Sequence, residues 1–233
     1  MNMKRSLVTL LVLGIASVGF AAPAAAYDRD AYEYAAGHMI GYKDIPKSLA
    51  AKKGANFNAS PASGKSFLCS DSEKLVQYSG GDHQFSINYP GGKKSSGISV
   101  DVTQYSSDAK ALRAFNELKK GLDRCAGPSS GQETYDSDTE PQVDTWSRLV
   151  TTGVVPLVTV AGVQSVFLNE NYEDVTTGPG AGTYSSDGYN VYTLVNDVII
   201  NTSYYTGSEL NLSTKERRNI NQVAFNAVTR WLD

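Results

Sequence analysis

The chain has 233 residues, 21 of them Lys or Arg and 24 Asp or Glu, with a formal net charge of −3. Its hydrophobic share of 41% is enough for one domain with a sizeable core. The faintly acidic balance has no block of like charge and argues against nucleic acid as a partner.

At the start of the chain, Lys4 and Arg5 precede an uncharged apolar run from Leu7 to Ala22. Ala24-Ala25-Ala26 then supplies small residues before Tyr27. A positive start, an apolar middle and a small-residue cleavage site form a secretory signal peptide. The run is short for a membrane span, and no cysteine follows it to take a lipid. We therefore expect residues 1–26 to be a signal peptide, 27–43 an N-terminal extension and 44–233 one folded domain. The protein is expected to be secreted, with no membrane span after cleavage. Loss of Lys4 and Arg5 leaves 19 basic against 24 acidic residues, a net charge of −5.

Asp28 to Tyr42 reads as a short helix, and the small, polar stretch from Gly54 to Ser66 as a loop. Periodicity then switches to two. Phe85, Ile87 and Tyr89 alternate with polar residues, as do Ile98, Val100 and Val102, which predicts two half-buried strands. Leu112, Phe115, Leu118, Leu122 and Cys125 recur in steps of three or four and predict a helix. Ser107 or Asp108 is its expected cap, and Gly127-Pro128 its stop. Pro128 to Gln142 reads as an acidic surface loop. Val143 to Val150 and Val158 to Leu168 suit strands, with a further loop from Glu170 to Gly182. Tyr189 to Val195 and Val198 to Tyr205 flank Asn196-Asp197, a two-residue turn that favours a tight hairpin. Ser213 with Glu216 makes a capping box. It opens a last helix whose apolar stripe is Ile220, Val223, Ala224, Ala227, Val228 and Trp231. This order of elements predicts a single α+β domain with a mainly antiparallel sheet packed with helices.

Two cysteines are present, Cys69 and Cys125. In an oxidising compartment an even pair reads as a disulfide. It would close a loop of about 57 residues, for roughly 4 kcal/mol in the loop-entropy picture.

Catalytic and metal chemistry is poorly supplied. His38 and His83 are the only histidines, and neither has a partner at metal-ligand spacing, so no metal site is expected. The nucleophile elbow of the common serine hydrolases is absent. Asp136, Asp138 and Glu140 alternate, but Pro141 follows where a calcium loop needs glycine. Gly178-Pro179-Gly180-Ala181-Gly182 lacks the strand-to-helix setting of a phosphate cradle and reads as a hairpin loop. Glycosylation sequons occur at Asn58, Asn201 and Asn211 and matter only in a eukaryotic secretory pathway.

The hairpin permits a sharper reading. With Val195 opposite Val198, Thr193 faces Ile200, Val191 faces Thr202 and Tyr189 faces Tyr204 on one sheet face. This more apolar face should pack under a helix. The other face carries Tyr192, Leu194, Ile199, Asn201, Ser203 and Tyr205. Aromatic rings beside amide and hydroxyl groups suit a ligand surface, so Tyr192, Asn201 and Ser203 are the candidate ligand-binding residues.

Three pieces of sequence together resemble a known family. Asp44-Ile45-Pro46 precedes a loop ending in Cys69. The strand ISVDVTQY leads into SSDAKALRAFNELKKGLDRC, a helix closing on Cys125. The strand LVNDVIINTSYY precedes the C-terminal helix. In this order the chain resembles the PknH-like extracellular sensor domains of actinobacteria, over most of Asp44 to Asp233. The resemblance implies an antiparallel sheet with helices and an open cleft for an unidentified ligand. The chain differs in having no cysteine after Cys125, where the family commonly carries a second disulfide.

The expected function is that of a secreted, non-enzymatic binding or sensor-type module of the bacterial cell envelope or extracellular space. Its partner would be an unknown small ligand or a cell-envelope component, and it would need no cofactor. The alternatives are a secreted cell-envelope hydrolase and a protein-interaction or inhibitory domain.

Overall fold

The computed structural model describes residues 29–49, 55–61, 65–69, 76–91, 96–135, 142–157, 162–178, 181–206 and 212–232. The side chains at 61, 65–69, 76, 77 and 135 are not among those described. The expected signal peptide, residues 1–26, and the acidic run 136–141 lie outside the described residues.

Among the described residues, ten strands and three α-helices form an α+β fold. In chain order they are α1 (Arg29–His38), β1 (Asn56–Pro61), β2 (Lys65–Cys69), β3 (Val76–Ser79), β4 (His83–Pro90), β5 (Ser96–Gln104) and α2 (Asp108–Cys125). After these come β6 (Gly127–Tyr135), β7 (Gln142–Val154), β8 (Gln164–Thr177), β9 (Gly182–Val195), β10 (Val198–Thr206) and α3 (Thr214–Leu232). Eight strands build one sheet in the order β1-β4-β5-β10-β9-β8-β7-β6. Every described pairing is antiparallel. Strands β2 and β3 form a separate two-stranded ribbon.

Hydrophobic burial divides between the two faces. One cluster joins α1 and α3 to the inward residues of the β4-β5-β10-β9 centre, among them Phe85, Val100, Val191, Ile200, Val223 and Trp231. The other places α2 on the opposite face, with Phe115, Leu118 and Leu122 against Val150, Val166, Leu168, Tyr192, Leu194 and Ile199. The β2–β3 ribbon packs against α2 as well.

Local signals act as their chemistry requires. Ser107 caps α2 by accepting from the Lys110 amide. Ser213 and Glu216 close a reciprocal capping box, with Ser213 N–H donating to Glu216 Oε2 at 2.9 Å and Glu216 N–H to Ser213 Oγ at 3.2 Å. All six residues of the expected α3 stripe are buried. On α2 one expected stripe residue is not, since Leu112 is 42% exposed and Ala111 and Ala114 fill the buried face in its place.

Several expected loops are strands. Asn56–Pro61 pairs with β4 as β1, inside the stretch expected to be a loop. Gly127–Tyr135 pairs with β7 as β6, where an acidic loop was expected. Much of the expected loop after Glu170 extends β8 to Thr177, and β9 begins at Gly182. The β6 and outer β8 segments lie on the β6-β7-β8 wing, where both faces meet water and no apolar alternation is needed, while β1 is an edge strand whose alternation rests on Phe57 and Ala59 alone, packed against the core. Pro128 is tolerated because β6 is an edge strand with one unpaired side. Gly127 (φ +110°) adopts the left-handed backbone that turns the chain from α2 into β6.

Cys125 is buried on the last turn of α2 and belongs to a disulfide. Cys69 ends β2, beneath the same helix, and is described by its backbone alone. The Cys69–Cys125 pairing itself is therefore a proposal, tested below.

Candidate binding site

The site is built on the β9–β10 hairpin. Asn196 (φ 50°) sits in the left-handed region at the turn, and Val195 pairs with Val198. The expected register holds along the ribbon, with Tyr192 opposite Asn201, Asn190 opposite Ser203 and Gly188 opposite Tyr205. On the next strand Ser99 stands opposite Ser203 and Asp101 opposite Asn201.

One face of this ribbon is core throughout. Tyr189, Val191, Thr193, Val195, Val198, Ile200, Thr202 and Tyr204 are all buried, and α3 covers them. Asp187 continues that face. It is fully buried, and it accepts a hydrogen bond from the Leu212 amide just before α3. Burial pushes its carboxyl above the usual range, while the Leu212 amide, Arg217 and Asn171 pull it back.

The other face is divided. Tyr192, Leu194 and Ile199 lie under α2 in its apolar cluster. Tyr192 is only 6% exposed, and burial raises its phenol well above the usual value, with Tyr78, Asp101 and Glu170 adding to the effect. This corrects the reading of Tyr192 as an open surface ring, because α2 packs its apolar side onto it. Asn201 and Ser203 are half-buried, and Tyr205 is 51% exposed. The three residues expected to act together are thus separated into one core residue and two at its margin.

Beyond this margin lies a cavity of about 330 Å³, lined by Glu170, Ser186, Asp187, Gly188, Asn190, Ser203, Tyr204 and Tyr205. Its volume is at the small end of the usual range for ligand sites. Gly188 leaves the cavity open, because a Cβ built there meets no atom within 4 Å. Gly97 accommodates the Tyr205 ring, since a Cβ at position 97 would lie 3.2 Å from the Tyr205 hydroxyl. Glu170 forms an ion pair with the buried Arg148 at 2.6 Å.

A polar chain runs from Ser203 into the sheet. The Ser203 and Ser99 hydroxyls are 2.8 Å apart, and Ser99 Oγ donates to Asp101 Oδ2 at 3.2 Å. Burial raises the Asp101 carboxyl, and the Ser99 hydrogen bond partly offsets this. Asn201 Oδ1 is buried on the same face and has no hydrogen-bond partner among the described residues. Sequence reasoning named Ser203 and Asn201 but missed Ser99, Asp101 and Glu170. The period-two alternation of ISVDVTQY already placed Ser99 and Asp101 on one face, and antiparallel pairing to β10 would have set them beside Ser203.

A larger cavity of about 530 Å³ lies on the β6-β7-β8 wing, lined by Pro128, Ser130, Leu149, Asn171 and Glu173 among others. It is an open shelf on the α3 side of the sheet, past the end of the α3 cluster. Elsewhere, the His38 ring stacks on Tyr34 at 3.9 Å with its Nδ1 2.6 Å from the Tyr34 carbonyl, and the His83 ring lies 6.3 Å from Phe85. Among the described residues no group of three or more His, Cys, Asp or Glu is placed to hold a metal ion. No described helix is long and apolar enough to cross a membrane.

No protein-family model and no curated protein matches the chain. Among solved structures, the extracellular domain of PknH from Mycobacterium tuberculosis is similar at 9% identity. The match covers 83% of this chain and 94% of that one, with a TM-score of 0.36. The chain thus has a weak, fold-level similarity to an extracellular domain, and at this level nothing about function is carried across.

Proposed function

We propose that the protein is a secreted, non-enzymatic binding module of the bacterial cell envelope or extracellular space, with a small ligand in the cavity beside Ser203. The observation that carries this reading is the divided face of the hairpin. Its covered half is ordinary core, while its open half has an empty floor at Gly188, an aromatic rim at Tyr205 and a buried polar chain behind Ser203. The buried Asp101 carboxylate and the Asn201 amide oxygen each cost stability, a cost that a ligand pairing with this margin offsets.

Native mass spectrometry of the protein recovered from the culture medium tests both parts of the proposal. The chain should begin at or near Tyr27 and carry a small-molecule adduct. Gly188→Val, which fills the cavity floor without meeting a neighbour, should abolish the adduct and leave the melting temperature nearly unchanged. An adduct retained in Gly188→Val would reject this site, and an intact Met1 form in the cytoplasm of the host would reject secretion.

A further inference from the structure

Resting on that reading of the cavity, we propose that its ligand is a cationic amine, held by its ammonium group against the Ser203 acceptor, for which no donor is found among the described residues. A serine hydroxyl has one hydrogen, and an ionised carboxylate can only accept. Ser99 therefore gives its hydrogen to Asp101 Oδ2, 3.2 Å away. The 2.8 Å bond between the two serine hydroxyls must then be donated by Ser203. Ser203 is left with lone pairs alone at the cavity wall. Asp101, two serines removed from the cavity, thus fixes the polarity of a residue that lines it.

Of the rest of the wall, Ser186, Asn190 and the Tyr205 hydroxyl can donate as well as accept, so the bias comes from the charged groups and from Ser203. Glu170 lines the cavity and can only accept. Asn201 Oδ1, next along β10 from Ser203 on the same face, is an acceptor with no partner among the described residues. An anionic ligand would meet the lone pairs of Ser203 and the carboxylate of Glu170.

Charge separates an amine from a neutral hydroxyl donor. Arg148 offsets Glu170. Asp101 has Ser99 as its hydrogen-bond partner and no cation in contact among the described residues. Among the described residues, one negative charge is thus left uncompensated behind Ser203. A ligand hydroxyl would satisfy the Ser203 lone pairs but leave that charge as it is. An ammonium group supplies three N–H donors and the missing positive charge together. The exposed Tyr205 ring at the rim adds an aromatic face suited to a cation.

The test compares cadaverine with 1,5-pentanediol, a neutral analogue of the same length, by calorimetric titration into the secreted protein at neutral pH. Cadaverine should bind at least about tenfold more tightly than the diol; tenfold is about 1.4 kcal/mol, the size of one charge-assisted hydrogen bond. Ser203→Ala should weaken cadaverine about tenfold. Asp101→Asn should weaken it at least as much, because it removes the charge and frees the serine chain to reverse. Circular dichroism confirms that each variant is folded, and the cadaverine–diol comparison needs no variant. Equal binding of amine and diol, or no binding of cadaverine, overturns the amine, while an adduct lost in Gly188→Val would still uphold the cavity. Cadaverine binding unchanged in both Ser203→Ala and Asp101→Asn overturns the assignment of these acceptors.

Discussion

The two faces of the β9–β10 hairpin are made from similar residues and have different fates. Tyr189 and Tyr204 on one face, and Tyr192 on the other, are equally buried, yet Tyr205 at the end of the second face is half open to solvent. Thr193 and Thr202 are enclosed beneath α3, while Ser203 lines a cavity. Residue type does not distinguish these positions. The difference lies in what covers them: α3 lies along the whole of its face, and α2 leaves Ser203 and Tyr205 uncovered. Polar side chains beneath a complete cover are closed to a ligand, even where, as at Thr202 Oγ1, no hydrogen-bond partner is found among the described residues, and the same types past the edge of a cover are available to one.

The largest expected effect comes from removing the cover on the divided face. Phe115 is fully buried in the α2 cluster. Phe115→Ala should cost about 3–5 kcal/mol through lost burial and the cavity left behind. Urea unfolding reads it as a fall in midpoint at an unchanged slope. A cost below about 1 kcal/mol would mean that α2 is not the cover described here.

The second effect concerns how α2 is tied down. Cys125 is the disulfide cysteine on its last turn, and Cys69, the only other cysteine in the chain, ends the ribbon strand under the same helix. Peptide mapping without reductant should give one Cys69–Cys125 linked pair. Cys125→Ser should destabilise by about 3 kcal/mol, chiefly by restoring freedom to the unfolded chain. Two native thiols that react with a maleimide would contradict the pairing.

The third compares the two halves of the divided face directly. Tyr192→Leu keeps an apolar core residue but leaves a misshapen site, for about 2 kcal/mol. Ser203→Ala loses its bond to Ser99, for about 0.5–1 kcal/mol. Hydrogen exchange around α2 should accelerate in the first variant and stay near wild type in the second. Similar loss in both would mean that Ser203 is as much a part of the core as Tyr192.

How far the sequence could be read follows the same division. Where a long element faces α3, its pattern was legible, while the short β2–β3 ribbon under α2 was not read. The α3 stripe, the capping box at Ser213 and Glu216, the hairpin register and the buried hairpin face could all be read from spacing, because burial imposes period and turn chemistry imposes register. Where both faces meet solvent, as on β6 and the outer part of β8, no period is imposed, and the polar runs GPSSGQETY and NENYEDVTT read as loops. The site failed for a third reason. Which half of the second hairpin face α2 would cover depends on where the helix crosses the sheet, and neither strand records that. Tyr192 was therefore read as open, and Asp101, whose role depends on pairing across β5, was not read at all.

The smallest expected effect falls on Asp101, and it sharpens the contrast most. Its carboxyl holds its proton more tightly in the folded protein than the ordinary value of 3.8, because burial disfavours the charge more than the Ser99 hydrogen bond supports it. A carboxyl raised in this way lends its full stability below 3.8 and loses it as pH rises through the raised folded value. At neutral pH the ionised Asp101 therefore weighs against the fold. Asp101→Asn, which can still accept from Ser99, should be more stable than the wild type at pH 7, by up to about 1 kcal/mol. That advantage should shrink towards pH 4 in paired urea titrations of the ligand-free proteins. Asp187, also raised by burial, titrates in both proteins and cancels in the difference. A variant less stable than wild type at pH 7 would show that Asp101 already has a compensating partner, and the case for a ligand cation would fall with it. A variant that is more stable yet binds cadaverine more weakly would show a carboxylate kept at a cost to folding because the site needs its charge.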